Sequence, residues 1–308
     1  MTDIIFLFFC YFLIVFSIIG YGKLFRFFSL KKNNSDIEGL FGLLLLIIIS
    51  YLTNLYFKHG YVHNIIVISF GLIIFLKYLK ESLKDLKIII SIFSILFIGL
   101  LMYKNHDDFY YYHFQYTLTL INFNKIFGLG LLNHGFRTPS SIFYLSSLFY
   151  LPFIKYFLFH ITPVFFLGFA NLVLYKKIKE NLKEQKNLYI IFLSLFSLVL
   201  INIFFYRIGE HGTDRSAMIL IMILVIEILS LINLKEIYEK DKILKLIILI
   251  TIIFSLKAFY VIYCILFFLI FFYNKEKKEL IIYIFSNKII YLCIGLIGFV
   301  LFTNFLNT

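Results

Sequence analysis

Two groups of residues in this chain have the types and spacing for acid–base and phosphate chemistry. The first lies in segment 103–156 and opens with Asp107 and Asp108, directly after an apolar run. A carboxylate placed there can take a proton from a hydroxyl as a general base. Asp108, Tyr112, Gln115 and Thr119 recur at three- and four-residue intervals, so a helix would put them on one face. Asp107 would be turned about 100° away from it. His113 belongs to the same stretch, and Phe109, Tyr110 and Phe114 are free to face lipid. Gly128, Gly130 and Gly135 follow, with Asn133, His134 and Arg137 ahead of Thr138-Pro139-Ser140-Ser141. Glycines let a backbone approach a ligand closely, and Ser140 or Ser141 can cap the helix that begins there. A helix N-terminus beside an arginine suits a phosphate. The spacing matches no P-loop or dinucleotide fingerprint, and a Gly-rich turn would read the same way.

The second group is shorter and denser: Arg207, Glu210, His211, Thr213, Asp214 and Arg215 lie between two apolar runs. They can form a ligand-facing surface or a set of salt bridges that hold the loop. Farther along, Glu227 and Lys257 sit inside otherwise apolar stretches. An intramembrane carboxylate is costly and normally faces a cavity or a basic partner. The expected partner of Glu227 is Lys257, with snorkelling or a neutral, protonated carboxyl as the alternatives.

The elements that carry these residues follow from composition. Of 308 residues, 62% are hydrophobic and 15% charged, and the mean hydropathy is +0.95. Soluble domains are about 45–50% apolar and roughly 25% charged, which excludes a soluble enzyme, a disordered tail and a disulfide scaffold. The chain is an all-α polytopic membrane bundle. Crossings are expected near 4–20, 39–57, 64–79, 88–102, 157–175, 188–206, 217–234 and 289–305, with 244–273 as a more complex element. No cleavage pattern precedes the first run, which is expected to stay as a signal anchor. The stretches 23–32, 77–87, 176–186, 235–245 and 275–288 hold most of the 29 basic residues, which assigns them to the cytoplasm as solvated connectors. The net charge of +12 is then a topology signal and needs no nucleic acid. Keeping 275–288 inside requires 244–273 to break at Lys257 and return as a hairpin, because residues 246–256 make a helix only ~16 Å long. About ten crossings result, with both termini outside. All seven histidines then fall in or beside the outer segments. Cys10, Cys264 and Cys293 lie in apolar runs and act as small hydrophobes. Residues 1–308 read as one membrane domain with interfacial helices in the long outer loop 103–156, and the end just after the last run implies a larger protein.

The acidic pair in HDDFYYYH, within a large outer loop joined to interfacial helices, resembles the GT-C superfamily of polytopic glycosyltransferases. DDFYYYH, GLGLLNHGFRTPSS, GTDRSA and SLK at Lys257 are also similar to a group of bacterial integral membrane proteins. The likeness spans roughly 88–260. In GT-C enzymes the acidic loop usually follows the first crossing, whereas four precede it here, and many carry a downstream domain for the acceptor. The resemblance implies a transferase in the bacterial plasma membrane. Its donor would be a polyprenyl-phosphate-linked sugar and its acceptor a glycan or a lipid-linked molecule, alongside membrane lipids. Asp107, Asp108 and Asp214 would be catalytic. His113, Gln115, His134, Arg137, Glu210, His211, Arg215 and Lys257 would bind substrate. No residue is assigned to a metal, and a divalent cation is the one cofactor left open. Three other functions fit the same residues: a polysaccharide polymerase or ligase relying on Arg137, Arg207 and Arg215; a transporter built on Lys257 and Glu227; and a membrane protein without chemistry.

Overall fold

The computed structural model describes residues 2–27, 37–101, 106–184, 187–210, 212–234, 240–273 and 277–308. All regular secondary structure among them is helical. Four long helices open the chain: α1 (Thr2–Lys23), α2 (Glu38–Tyr56), α3 (Tyr61–Lys77) and α4 (Leu79–Leu101). Three short ones follow in the polar segment, α5 (Phe114–Asn122), α6 (Leu129–Leu132) and α7 (Ser141–Leu148). The rest are α8 (Thr162–Glu184), α9 (Leu188–Phe204), α10 (Asp214–Leu234), α11 (Lys240–Leu256), α12 (Ile265–Tyr273), α13 (Lys277–Ser286) and α14 (Lys288–Asn307). Four described helices, α1, α2, α10 and α14, are long and apolar enough to cross a membrane, and α3 with α4 passes as a fifth, bent by 106° at Tyr78. The protein is a membrane protein.

The first three helices meet through small residues. Ser17 donates to the Ile68 carbonyl at 2.9 Å and Tyr21 to the Val67 carbonyl at 2.8 Å. A Cβ on Gly20 would fall on the Gly71 carbonyl, and one on Gly42 on the Ile18 carbonyl. Lipid supplies no hydrophobic drive between helices, so such close backbone contact is a main source of their association.

One end of the bundle is bound by ion pairs. Lys23 meets Glu38 at 2.7 Å, Lys176 meets Asp85 at 2.5 Å, and Glu227 receives both Lys177 at 3.0 Å and Lys245 at 2.9 Å. The KKIKENLKEQK stretch begins inside the bundle: α8 continues through Glu184 and Lys176 is buried, while Lys179, Glu180, Leu182 and Lys183 are exposed as a solvated stretch would be. Lys257 is not the partner of Glu227. A helix 17 residues long (α11) separates Lys257 from the end of the bundle where Glu227 sits.

The break at Lys257 falls where the charge pattern places it. Lys257 adopts an extended backbone, and 3-10 turns over Ala258–Cys264 lead into α12. Lys240, at the start of α11, lies 5.8 Å from the Tyr283 ring in α13, so the chain after Lys257 returns to the end where α11 begins. α11 is longer than expected, because its first turns carry Lys240, Asp241 and Lys245 into the ion-paired end. Segment 277–286, expected as a connector, is helical, with Leu280 and Tyr283 buried. α14 then runs the length of the bundle, and its last turn reaches the opposite end, where Asn307 donates to Tyr116 and to the Phe136 carbonyl.

The largest departure from expectation is α7. Segment 103–156 was expected to carry interfacial helices, yet every residue of α7 is buried. Its hydroxyls explain how so polar a helix is held inside. Ser141 donates to the Ser255 carbonyl at 2.8 Å, Ser146 meets Thr162 at 2.8 Å, and Ser147 meets His59 Nδ1 at 2.6 Å. Tyr144 stacks on Tyr51 with ring centroids 3.8 Å apart. Ser140 caps the helix, accepting the Ile142 N–H, as the sequence suggested.

His59 carries a pH dependence. Ser147 spends its proton on the Tyr144 carbonyl, so His59 Nδ1–H donates to Ser147 and Nε2 faces Thr53 at 3.2 Å. Burial holds His59 down to about 3 and His160 to about 4. Both stay neutral in the folded protein, while the unfolded chain takes up their protons near pH 6.5. Stability is therefore full above that value and is lost as the pH falls toward 4. The thermal midpoint of the solubilised protein should drop across that window, and His59→Gln should blunt the drop. A midpoint whose pH dependence is the same with and without His59 would exclude this account.

Candidate functional site

The end opposite the ion pairs gathers polar groups from four parts of the chain. Lys257 comes from the break after α11. Asp214 is the first residue of α10, preceded by Gly212 in a left-handed conformation (φ +53°) and buried Thr213. Lys257 Nζ lies 3.0 Å from Asp214 Oδ1. Lys257 lines a cavity region of about 560 Å³ whose wall also includes Tyr112, His134, Ser140, Thr213 and Asn304. The exposed rings of Tyr111 and Phe259 stand at its edge.

The acidic pair enters through a wide turn. Residues Phe109–His113 form a π-helical turn, in which the His113 N–H reaches back to the Asp108 carbonyl and the Phe114 N–H to that of Phe109. The wider turn shifts the phase of everything after it. Tyr112 and His113 face inward, while Gln115 is exposed and donates to the Tyr110 carbonyl. The expected common face of Asp108, Tyr112, Gln115 and Thr119 is thus split: Tyr112 stays with Asp108, and Gln115 turns away. Turns of this kind recur at functional sites.

Asp108 is the half-exposed member of the pair, and Asp107 is exposed. Burial, with the charges of Asp108 and Asp214, pushes the Tyr112 hydroxyl up to about 12. His113 is held down to about 3, first by burial, then by His106 and Lys257, against the opposing pull of Asp214. His106, stacked on His113 with centroids 5.3 Å apart, is a site residue that the sequence reading passed over. One ligand-capable atom from each of His106, Asp108 and His113 lies within 4.8 Å of the others. The H-x-D-x4-H spacing is the signal that could have found them.

Among the remaining candidates, His134 is exposed and lines the cavity. Arg137 is exposed, and its Cγ packs on Gly130 instead of lining the cavity. Arg215 is half-buried beside Asp214 in the first turn of α10. The backbone of Glu210 ends a short turn, Ile208–Glu210, and His211 lies outside the described residues. Asn307 locks the loop from below, and Lys125 donates to it at 2.7 Å. The site therefore unites the two polar groups, through Tyr112, Asp108, His113, Asp214 and Lys257, and leaves Asp107, Gln115 and Arg137 out.

Comparison with known proteins supplies a class and no chemistry. The family described as a domain of unknown function (DUF8201) matches residues 4–306, and the chain belongs to it. No curated protein and no solved structure matches the chain.

Proposed function

We propose that the protein is a membrane glycosyltransferase that takes a sugar from a polyprenyl-phosphate donor at the outer face of a bacterial plasma membrane and passes it to a glycan or lipid-linked acceptor. The observation that carries this reading is Lys257, 3.0 Å from Asp214, on the wall of a cavity that Tyr112 also lines, with the charges of Asp108 and Asp214 both acting on Tyr112. A lipid-anchored donor stays in the bilayer, so its sugar phosphate must be met by a site at the membrane boundary. Lys257 balances the charge of the departing phosphate. Asp108 takes the proton of the acceptor hydroxyl. The exposed rings of Tyr111 and Phe259 give the prenyl chain an apolar approach.

In the same reading the ion-paired end faces the cytoplasm, the chain crosses about ten times, and 258–273 is the return arm of a hairpin. Lipid-facing surface is ample on α12 and α14: Phe268, Phe272, Leu301 and Phe305 are exposed. The transporter reading needed Lys257 and Glu227 to share a midplane cavity, and Glu227 is instead held by Lys177 and Lys245. A polymerase or ligase would rely on Arg137, Arg207 and Arg215, of which the first two are exposed and none lines the cavity wall.

The test is sugar transfer from a polyprenyl-phosphate donor in proteoliposomes. Asp108→Asn should cost about 100-fold or more, the range for a lost general base. Asp107→Asn should retain activity, since Asp107 is exposed and it is Asp108 that groups with His106 and His113. Equal losses, or loss in Asp107→Asn alone, would sink the assignment.

A further inference from the structure

We propose that His106, Asp108 and His113 form a binding site for a first-row divalent cation of the zinc class. The proposal stands apart from the transferase reading, because it rests on ligand atoms alone. Three lone-pair groups converge there. The Asp108 backbone N–H donates to His106 Nδ1 at 3.1 Å, which leaves that nitrogen unprotonated. Asp108 Oδ2 faces the same nitrogen at 3.9 Å, so two acceptors look at one another with no proton between them. The third is His113, which is 7% exposed and whose Nε2 is closed off from solvent without a hydrogen-bond partner. Buried imidazole nitrogens are normally satisfied, and an orphan beside a second imidazole and a carboxylate points to a ligand that accepts lone pairs.

The surroundings hold the cluster in place. Gly212 lies flat against the His106 ring: a Cβ there would stand 3.0 Å from Nε2 and 2.9 Å from Cδ2. The ring is thereby kept with Nδ1 toward Asp108. A recess of about 40 Å³ lined by His106, His113 and Gly212 leaves room for an ion and its water. The nearby ammonium of Lys257 is already matched by Asp214 at 3.0 Å. Two imidazoles with one carboxylate suit zinc, iron or cobalt, whereas magnesium and calcium ask for oxygen alone. Ligand atoms around a tetrahedral zinc stand about 3.3 Å apart, so the cluster closes by roughly an ångström when the ion enters. The cation takes the His106 lone pair in place of the Asp108 N–H, uses one Asp108 oxygen and leaves the other toward Tyr112.

The experiment uses the full chain in nanodiscs, stripped with chelator and titrated with zinc by calorimetry and with cobalt(II) by absorption. One ion per chain is expected, with the intense d–d bands of a four-coordinate site. His106→Ala, Asp108→Asn and His113→Ala should each weaken binding at least tenfold, and His63→Ala, which removes an imidazole elsewhere, should leave it unchanged. Should His113→Ala fail to fold by its melting profile, His106→Ala decides, because that side chain is 36% exposed. Absence of binding in the wild-type chain, equal loss in His63→Ala, or magnesium binding as tightly as zinc would each overturn the proposal.

Discussion

Lys257→Ala is expected to lower affinity for a polyprenyl-phosphate donor by roughly 10- to 100-fold, the worth of one charge-assisted contact to phosphate. The fold should survive. Lys257 and Asp214 are 40% and 47% exposed, and an ion pair so open to solvent contributes at most about 1 kcal/mol. Lys257→Arg should restore part of the binding. Asp214→Asn should tighten it, because phosphate and Asp214 compete for the same ammonium. Donor binding in nanodiscs, read beside the melting temperature, separates these outcomes. Unchanged affinity in Lys257→Ala would leave the pair as a clasp between α10 and the α11 break, with no part in binding.

The second large effect concerns stability. Gly20→Val places methyl groups on the Gly71 carbonyl, a backbone atom that cannot swing aside as a side chain can. Overpacking of a core costs about 1–3 kcal/mol, and contact with backbone belongs at or beyond the top of that range. The melting temperature should fall by about 10 °C, and α1 should lose its seat on α3. Gly295→Val and Gly298→Val in α14 meet nothing within 4 Å and should leave the midpoint in place. A Gly20→Val protein as stable as those controls would show that the α1–α3 contact is not tight.

Much of the helical framework was legible because apolar runs and lysines speak directly to helices and bundle ends. The break at Lys257 was visible for the same reason: one ammonium inside an apolar run demands a change of path. What escaped has physical causes as well. A π-turn inserts extra rotation that no three- and four-residue count anticipates, so Gln115 was assigned to a face it does not share. α7 lies in segment 103–156, expected as an outer loop with interfacial helices, yet its hydroxyls are spent on partners inside the bundle. Lys177 and Lys245 looked like loop charges, and only the packing of α8, α10 and α11 brings both to Glu227. His106 was legible in the H-x-D-x4-H spacing and was passed over; what the sequence hides is Gly212, which lies far along the chain and comes against its ring only in the fold.

The buried α7 also has a consequence for how the protein is made. At eight residues it is roughly 12 Å long, too short to enter the bilayer as a span of its own. Its partner Ser255 lies 114 residues downstream of Ser141, and Asn307 closes on Tyr116 from 191 residues away. At ordinary rates of synthesis, about 5–20 residues per second, those partners emerge many seconds after α7 itself. Until they arrive, α7 and the loop before it must wait in water or at the membrane surface with their hydroxyls hydrated. The helices that merely cross can be laid down in order as the ribosome delivers them. The polar end is completed last, when α11 and α14 have been threaded in, so a chain interrupted before residue 240 would be an inserted scaffold without a site.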